Sequence, residues 1–431
     1  MATEENQLAN STLRALNWRL IPFVFLLYIV AYVDRVNVGF AALQMNQRLG
    51  FDSAVYGFGA GIFFVGYALF EVPSNILLAR FGARLWIARI MITWGLLSMS
   101  MIWVHNATSF YVLRFLLGVA EAGFLPGIIY YLGEWYPRTQ HAHAVGKFMA
   151  AIPFSIIVGG PLASVILPLD GWHGLDGWQW LFLLEGVPAV VLGVVVLGYL
   201  TDTPAQAKWL SDEQRAWLIK RLQTDHAEVT QHHQINLRQA LTHPMVWILG
   251  IILLACQSGS YGLTLWIPQI IKGLSGLSDV WVGIITALPY IAATIGMVLI
   301  GQSSDRTGER FWHVAGSSLL GAVGFIAAAY LVSPVLGMVA LTIAAVGDLS
   351  SRGPFWTLPR RFLAGSASAA GIALINTLGA LGGLLGPYGV GVIKKMTGSF
   401  TGGLLFLAGM LILSAIGMLQ LRRAAVLSQT K

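Results

Sequence analysis

Twelve apolar runs of eighteen or more residues, parted by short polar or Gly- and Pro-containing stretches, dominate this 431-residue chain. They fall at Trp18–Ala42, Val55–Ala79, Trp86–Val104, Phe110–Gly133, Ala144–Leu167, Gln179–Leu200, Pro244–Ile271, Val280–Gln302, His313–Val332, Val335–Leu358, Ser366–Ile393 and Gly402–Leu421. A helix crosses the hydrocarbon layer of a bilayer with about 20 such residues. Backbone groups in lipid must bond within a helix or a closed barrel, and barrel strands would alternate over about ten residues. The expected fold is therefore an all-α membrane protein of twelve transmembrane helices. Only 10% of residues are charged, against about 25% in soluble domains, which excludes a water-soluble enzyme. The one cysteine, Cys256, permits no internal disulfide.

The basic residues set the orientation. Nineteen of the 26 Lys and Arg lie on the side shared by the N-terminus, the even-numbered loops and the C-terminus, among them Arg238, Arg360, Arg361 and Lys431. Four (Arg48, Lys272, Lys394 and Lys395) lie on the opposite side, and Arg35, Arg114 and Arg352 fall inside spans. This bias places both termini in the cytoplasm. The net charge of +7 is then mostly a topology signal, and no nucleic-acid partner is expected. Residues 1–17, with Glu4 and Glu5 and no cleavage pattern, read as a cytoplasmic segment and not a signal peptide.

The longest polar stretch divides the spans six and six: one bundle over 18–201, a cytoplasmic linker over 202–243, a second bundle over 244–422 and a tail over 423–431. Ser211 to Gln214 forms a capping box that opens a short helix in the linker. His226, His232 and His233 have no standard zinc spacing and read as solvated loop. The halves are related. Arg80-Phe-Gly-Ala-Arg84-Leu-Trp86 and Arg306-Thr-Gly-Glu-Arg310-Phe-Trp312 stand 226 positions apart, as do Gly160-Pro161 and Gly386-Pro387. A duplicated six-helix unit suits alternating access to a site between the halves.

Ionisable residues inside spans mark working sites, since each costs at least about 2.5–3.5 kcal/mol at a helix centre. Tyr28, Tyr32 and Arg35 share one face of the first span, with Asp34 beside them. Arg35 suits a carboxylate in a dry cavity; the competing reading is a structural Asp–Arg pair. Arg114 and Glu121, nearly two turns apart, project to one side of the fourth span and read as a proton-coupling pair or a structural ion pair. Asp348 and Arg352 stand at i, i+4 in the tenth span. They either pair with each other or free Arg352 for a second carboxylate. Glu71 and Glu185 lie nearer helix ends and read as structural. Gly57/Gly61, Gly123/Gly127, Gly379/Gly383 and Gly382/Gly386 allow close helix approach.

Taken together, the twelve spans and Gly301-Gln-Ser-Ser-Asp305-Arg306-Thr-Gly308-Glu-Arg310 resemble the major facilitator superfamily. The resemblance implies gating by Asp305, Arg306 and Arg310; Arg80 and Arg84 are the first-half counterparts, where Ala79 replaces the acid. Tyr32-Val-Asp34-Arg35, Glu71-Val-Pro-Ser-Asn75, Arg114-Phe through Glu121-Ala-Gly-Phe-Leu-Pro-Gly127, Gly177-Trp-Gln-Trp through Glu185-Gly186, and Gly371 to Asn376 are similar to the anion:cation symporter family, especially bacterial tartrate, phthalate and hydroxyphenylacetate permeases. That likeness implies proton-driven import of a small organic anion across the bacterial inner membrane by a monomer, with no cofactor. It assigns substrate contact to Arg35, Tyr67 and Asn376, and proton coupling to Asp34, Glu121 and Arg114. Tyr32, Gln257, Arg352 and Trp356 complete the candidate substrate lining. Ile152-Pro153-Phe154 stands where sugar-acid members carry a polar amide, which leans toward an aromatic acid, while Arg352 points to a diacid. An exchanger, a uniporter or a sugar-acid symporter on the same fold remain alternatives. No Ser/His/Asp set or metal motif in the spans supports an intramembrane enzyme.

Overall fold

Hydropathy alone carries the architecture. Helices long and apolar enough to cross a membrane run over Glu5–Leu49, Ser53–Phe81, Ala83–Trp103, Ala107–Gly133, Arg138–Leu169, Gly177–Tyr199, Pro244–Ser275, Asp279–Thr307, Phe311–Tyr330, Pro334–Thr357, Gly371–Thr397 and Thr401–Arg423. This computed structural model describes residues 2–230, 242–359 and 366–429, with side chains over 5–225, 242–359 and 371–423. Arg238, Arg360, Arg361 and Lys431 of the charge tally, and the side chains of His226, His232 and His233, lie outside the described residues. Among the described residues no group of three His, Cys, Asp or Glu could hold a metal ion.

Helix ends follow local chemistry. The first span continues past its apolar run through Gln44, Asn46 and Arg48, and stops where Gly50 takes φ 67°. Asp52 caps the second span by accepting the Val55 N–H at 2.8 Å. In the linker, Ser211 Oγ accepts the Gln214 N–H and Gln214 Oε1 accepts the Ser211 N–H, both at 3.2 Å, so the capping box forms. Two spans are broken inside the membrane. The fourth stops at Glu121 and restarts at Phe124, with Gly123 at φ 85°. An L-residue is strained there, and a Cβ would also collide with Ser74. The tenth is interrupted at Ser351, between Asp348 and Arg352.

Two six-helix bundles result. In the first, the third span packs on the sixth, the second on the fourth, and the first on the fifth and sixth. In the second, the ninth packs on the tenth and twelfth, the eighth on the tenth, and the seventh on the eleventh and twelfth. Between bundles the first span meets the seventh, the second meets the eleventh, and the fifth meets the eighth. Small residues permit these crossings. A Cβ on Gly57 would lie 2.5 Å from the Pro387 carbonyl oxygen, and one on Gly283 would lie 2.5 Å from that of Gly160. Gly57 and Gly283 stand 226 positions apart, and Gly160 corresponds to Gly386, next to Pro387, so the two contacts match to within one residue.

Most side-chain bonds across the bundles gather on the face away from the termini, the Asn376–Glu71 bond being the exception. Gln44 donates to Asp279 at 3.1 Å, the Tyr56 hydroxyl to the Leu265 carbonyl at 2.6 Å, and Lys395 pairs with Asp52 at 2.8 Å. Lys272 braces Asp279 from within its own half. The Lys395 hydrogen bond, helped by the Val55 N–H, holds the Asp52 carboxyl below its ordinary range.

Candidate functional site

Charged side chains of the first bundle converge where its helices cross. Arg35 and Glu121 are both buried and joined, with Arg35 Nε donating to Glu121 Oε1 at 2.9 Å and Nη2 donating to the same oxygen. Glu121 is the last residue of its helix segment. Its carboxylate therefore faces the negative end of that helix dipole as well as the guanidinium. Its second oxygen is buried without a partner. The Arg35 guanidinium also lies over aromatic rings, 5.2 Å from Tyr67, 5.5 Å from Tyr32 and 5.7 Å from Phe63. The expected aromatic and cationic face of the first span is thus assembled, with the Tyr28 and Tyr32 rings 6.1 Å apart.

Asp34 points the other way along the same helix. It accepts from Asn37 at 3.0 Å and from the Trp94 indole and the Ser98 hydroxyl of the third span. Arg114 is wholly buried, donates to the Ala60 carbonyl at 3.3 Å, and leaves Nε and Nη1 without hydrogen-bond partners. It acts on Asp34 and Glu121 through space and touches neither. The fourth span therefore does not carry a closed Arg114–Glu121 pair; Glu121 is taken by Arg35 of another helix.

The second bundle answers with a different set. Asp348 is buried and accepts from Ser260 at 2.5 Å, while its Oδ1 has no partner. No ion pair joins Asp348 to Arg352, although Ser351 between them keeps helical φ and ψ. The Arg352 charge acts on Asp348 through space and is a minor influence on the Tyr32 hydroxyl of the opposite half. Its Nε is buried and unpartnered. Asn376 donates to Glu71 Oε1 at 2.9 Å, bridging the eleventh and second spans. Gln257 keeps a buried, unpartnered Oε1. Trp356 lies one turn beyond Arg352, partly exposed, against Phe355 at 5.5 Å.

The residues expected to gate make contacts within their own halves. Arg310 pairs with Asp305 at 2.6 Å and donates to Ser304 at 2.9 Å, and Arg84 pairs with Asp202 at 3.5 Å. Arg80 lies over Phe81 at 5.7 Å, and Arg306 is exposed. Sequence reasoning missed the bonds across the opposite face, Gln44–Asp279 and Asp52–Lys395. Their signal was the adjacent Lys394 and Lys395 on a side otherwise poor in positive charge.

The pattern of the Major Facilitator Superfamily matches residues 24–387. The chain belongs to this family. Two proteins of Agrobacterium vitis, each named "Putative tartrate transporter", are 52% and 51% identical over 97% of this chain and 93% and 96% of theirs. The inner membrane transport protein RhmT of Escherichia coli K12 is 39% identical over 96% of this chain and 95% of its own. Among solved structures, a bacterial homologue of the human lysosomal transporter Spinster, inward-facing and occupied, superposes with a TM-score of 0.77 over 94% of this chain and 96% of that one. At 16% identity that likeness speaks for the fold alone. This superfamily member is a transport protein and not an enzyme.

Proposed function

We propose that the chain is a proton-coupled symporter for a small organic acid, with a dicarboxylate of the tartrate or phthalate type as its preferred cargo. The observation that carries this reading is the buried Arg35–Glu121 pair. A guanidinium held in a dry site by a protein carboxylate is one proton away from holding a substrate carboxylate instead. Protonation of Glu121 releases Arg35 to the incoming anion. The pair of charges is thereby exchanged, not left unbalanced, and the bundles can close over it. Asp34, facing Arg114, is the second proton site.

Arg352 supports the dicarboxylate reading. It forms no ion pair with Asp348 and its Nε is buried without a partner, so each half offers one cation to one end of the cargo. The two relatives named for tartrate favour the same class. Ile152-Pro153-Phe154 leaves an apolar wall in the fifth span, which suits an aromatic diacid. Asn376, now bonded to Glu71, is a further substrate contact. On this reading both termini lie in the cytoplasm of a bacterial inner membrane, and the Asp305 and Arg310 loop gates that side.

Uptake into proteoliposomes tests the reading. An inwardly directed proton gradient alone should concentrate tartrate or phthalate above the external level. A strict exchanger or uniporter would equilibrate and no more, and that result would refute coupling.

A further inference from the structure

Glu185 takes no part in the exchange just described, yet it is the most isolated acid in the first bundle. It sits on the interior face of the sixth span, 4% exposed, with Oε2 buried and unpartnered. Among the described residues no Lys, Arg or His nitrogen lies within 4.0 Å of it. Its carboxyl neighbours the Asn37 amide and acts on Asp34. Asn37 donates one N–H to Asp34 at 3.0 Å, and its own Oδ1 is buried without a donor. The elements around Glu185 bring no compensating charge. The first span offers Asp34, and Arg35 there is committed to Glu121. The third span presents Gly95 and Met99 to the adjoining Gly186, with Arg84 bound to Asp202 and Arg89 stacked on Trp86. In the fifth, Lys147 is bound to Asn17.

Charge balance then decides the state of Glu185. The spans of the first bundle bury four carboxyls (Asp34, Glu71, Glu121 and Glu185) against two guanidiniums (Arg35 and Arg114), and Glu71 is bonded by Asn376. An unpaired buried carboxylate is expensive and takes a proton instead. A carboxylic acid also supplies the O–H that the orphaned Asn37 oxygen lacks, which a carboxylate cannot do.

We propose that Glu185 is a permanently protonated positioning residue that fixes Asn37 and, through it, sets the proton affinity of Asp34. With Asn37 held, Asp34 keeps a hydrogen bond that favours its charged form. Without that hold, Asp34 takes up a proton more readily. The proposal rests on Asp34 being a proton site, so its test has one arm that does not.

Infrared difference spectra of the purified full chain at neutral pH read the protonated carboxyl directly. Wild type should show the carboxylic-acid C=O band, and Glu185→Gln should lack it. In proteoliposomes, Glu185→Gln should keep the wild-type pH profile of uptake, because it is neutral and still donates. Glu185→Ala should move the midpoint of that profile up by about one pH unit, the size of one lost hydrogen bond to a charged group. A downward shift in either variant would mean that Glu185 is anionic, and an unmoved midpoint in folded Glu185→Ala would leave it structural; each overturns the proposal. An infrared band present with uptake indifferent to pH in the wild type would refute the symport reading and leave the neutral acid standing.

Discussion

Gly283→Ala gives the most direct test of how the halves move. A Cβ at this position lies 2.5 Å from the Gly160 carbonyl oxygen, 2.9 Å from the Ser164 Cβ and 3.2 Å from its backbone nitrogen. Two of those neighbours are backbone atoms of the fifth span and cannot rotate aside. Overpacking of this kind costs about 1–3 kcal/mol. The cost applies only while the fifth and eighth spans cross at this point, so the variant shifts the balance toward the opposite conformation by about 5–150-fold. Spin labels at Gln47 and Met396, both exposed on the face away from the termini and on opposite halves, would report it by electron–electron distance measurement. The single native cysteine, Cys256, is buried and would be changed to Ser in the labelled background. Gly283→Ala should enrich the longer distances on that face. Superimposable distributions from a folded variant would refute the idea that this crossing is lost during transport.

Other expectations follow from the same contacts. Glu121→Gln should abolish uphill accumulation yet retain substrate exchange, and binding should tighten roughly tenfold or more as the competing carboxylate goes, measured by calorimetry. Arg352→Ala should weaken dicarboxylate binding by about ten- to a hundredfold and change monocarboxylates far less, in a competition assay with both classes. Lys395→Ala removes a solvent-screened surface pair, so its effect on the label distances should be smaller than that of Gly283→Ala. The same variant carries a pH signature. Asp52, held below its ordinary range, stabilises the sealed face above that range and loses the effect as pH falls through its depressed value. Without Lys395 that loss should begin at higher pH, visible in a pH titration of the same distances.

The spans were legible because lipid imposes a long, continuous signal that no tertiary contact can override. The repeat was legible too, and Gly160-Pro161 and Gly386-Pro387 prove to sit at the contacts between halves. Which charges meet was not. Arg35 and Glu121 stood out as costly residues, but a pairing across 86 positions is set by helix packing. The i, i+4 spacing of Asp348 and Arg352 left a pair or a free guanidinium open, and Asp348 accepts from Ser260 instead. Glu185 reads as structural from its place in the span, and the role proposed for it rests on a lack of nearby cations that only the packing reveals.

The 226-position correspondence also separates shape from chemistry. Glycine meets backbone at matching places in both halves, whereas Arg35 corresponds to Tyr261 and Asp34 to Ser260. The pivots are held in duplicate by bare backbone, and the lining is free to diverge. A carrier built on such bearings can be refitted for new cargo by editing one wall, while the machinery that swings it stays untouched.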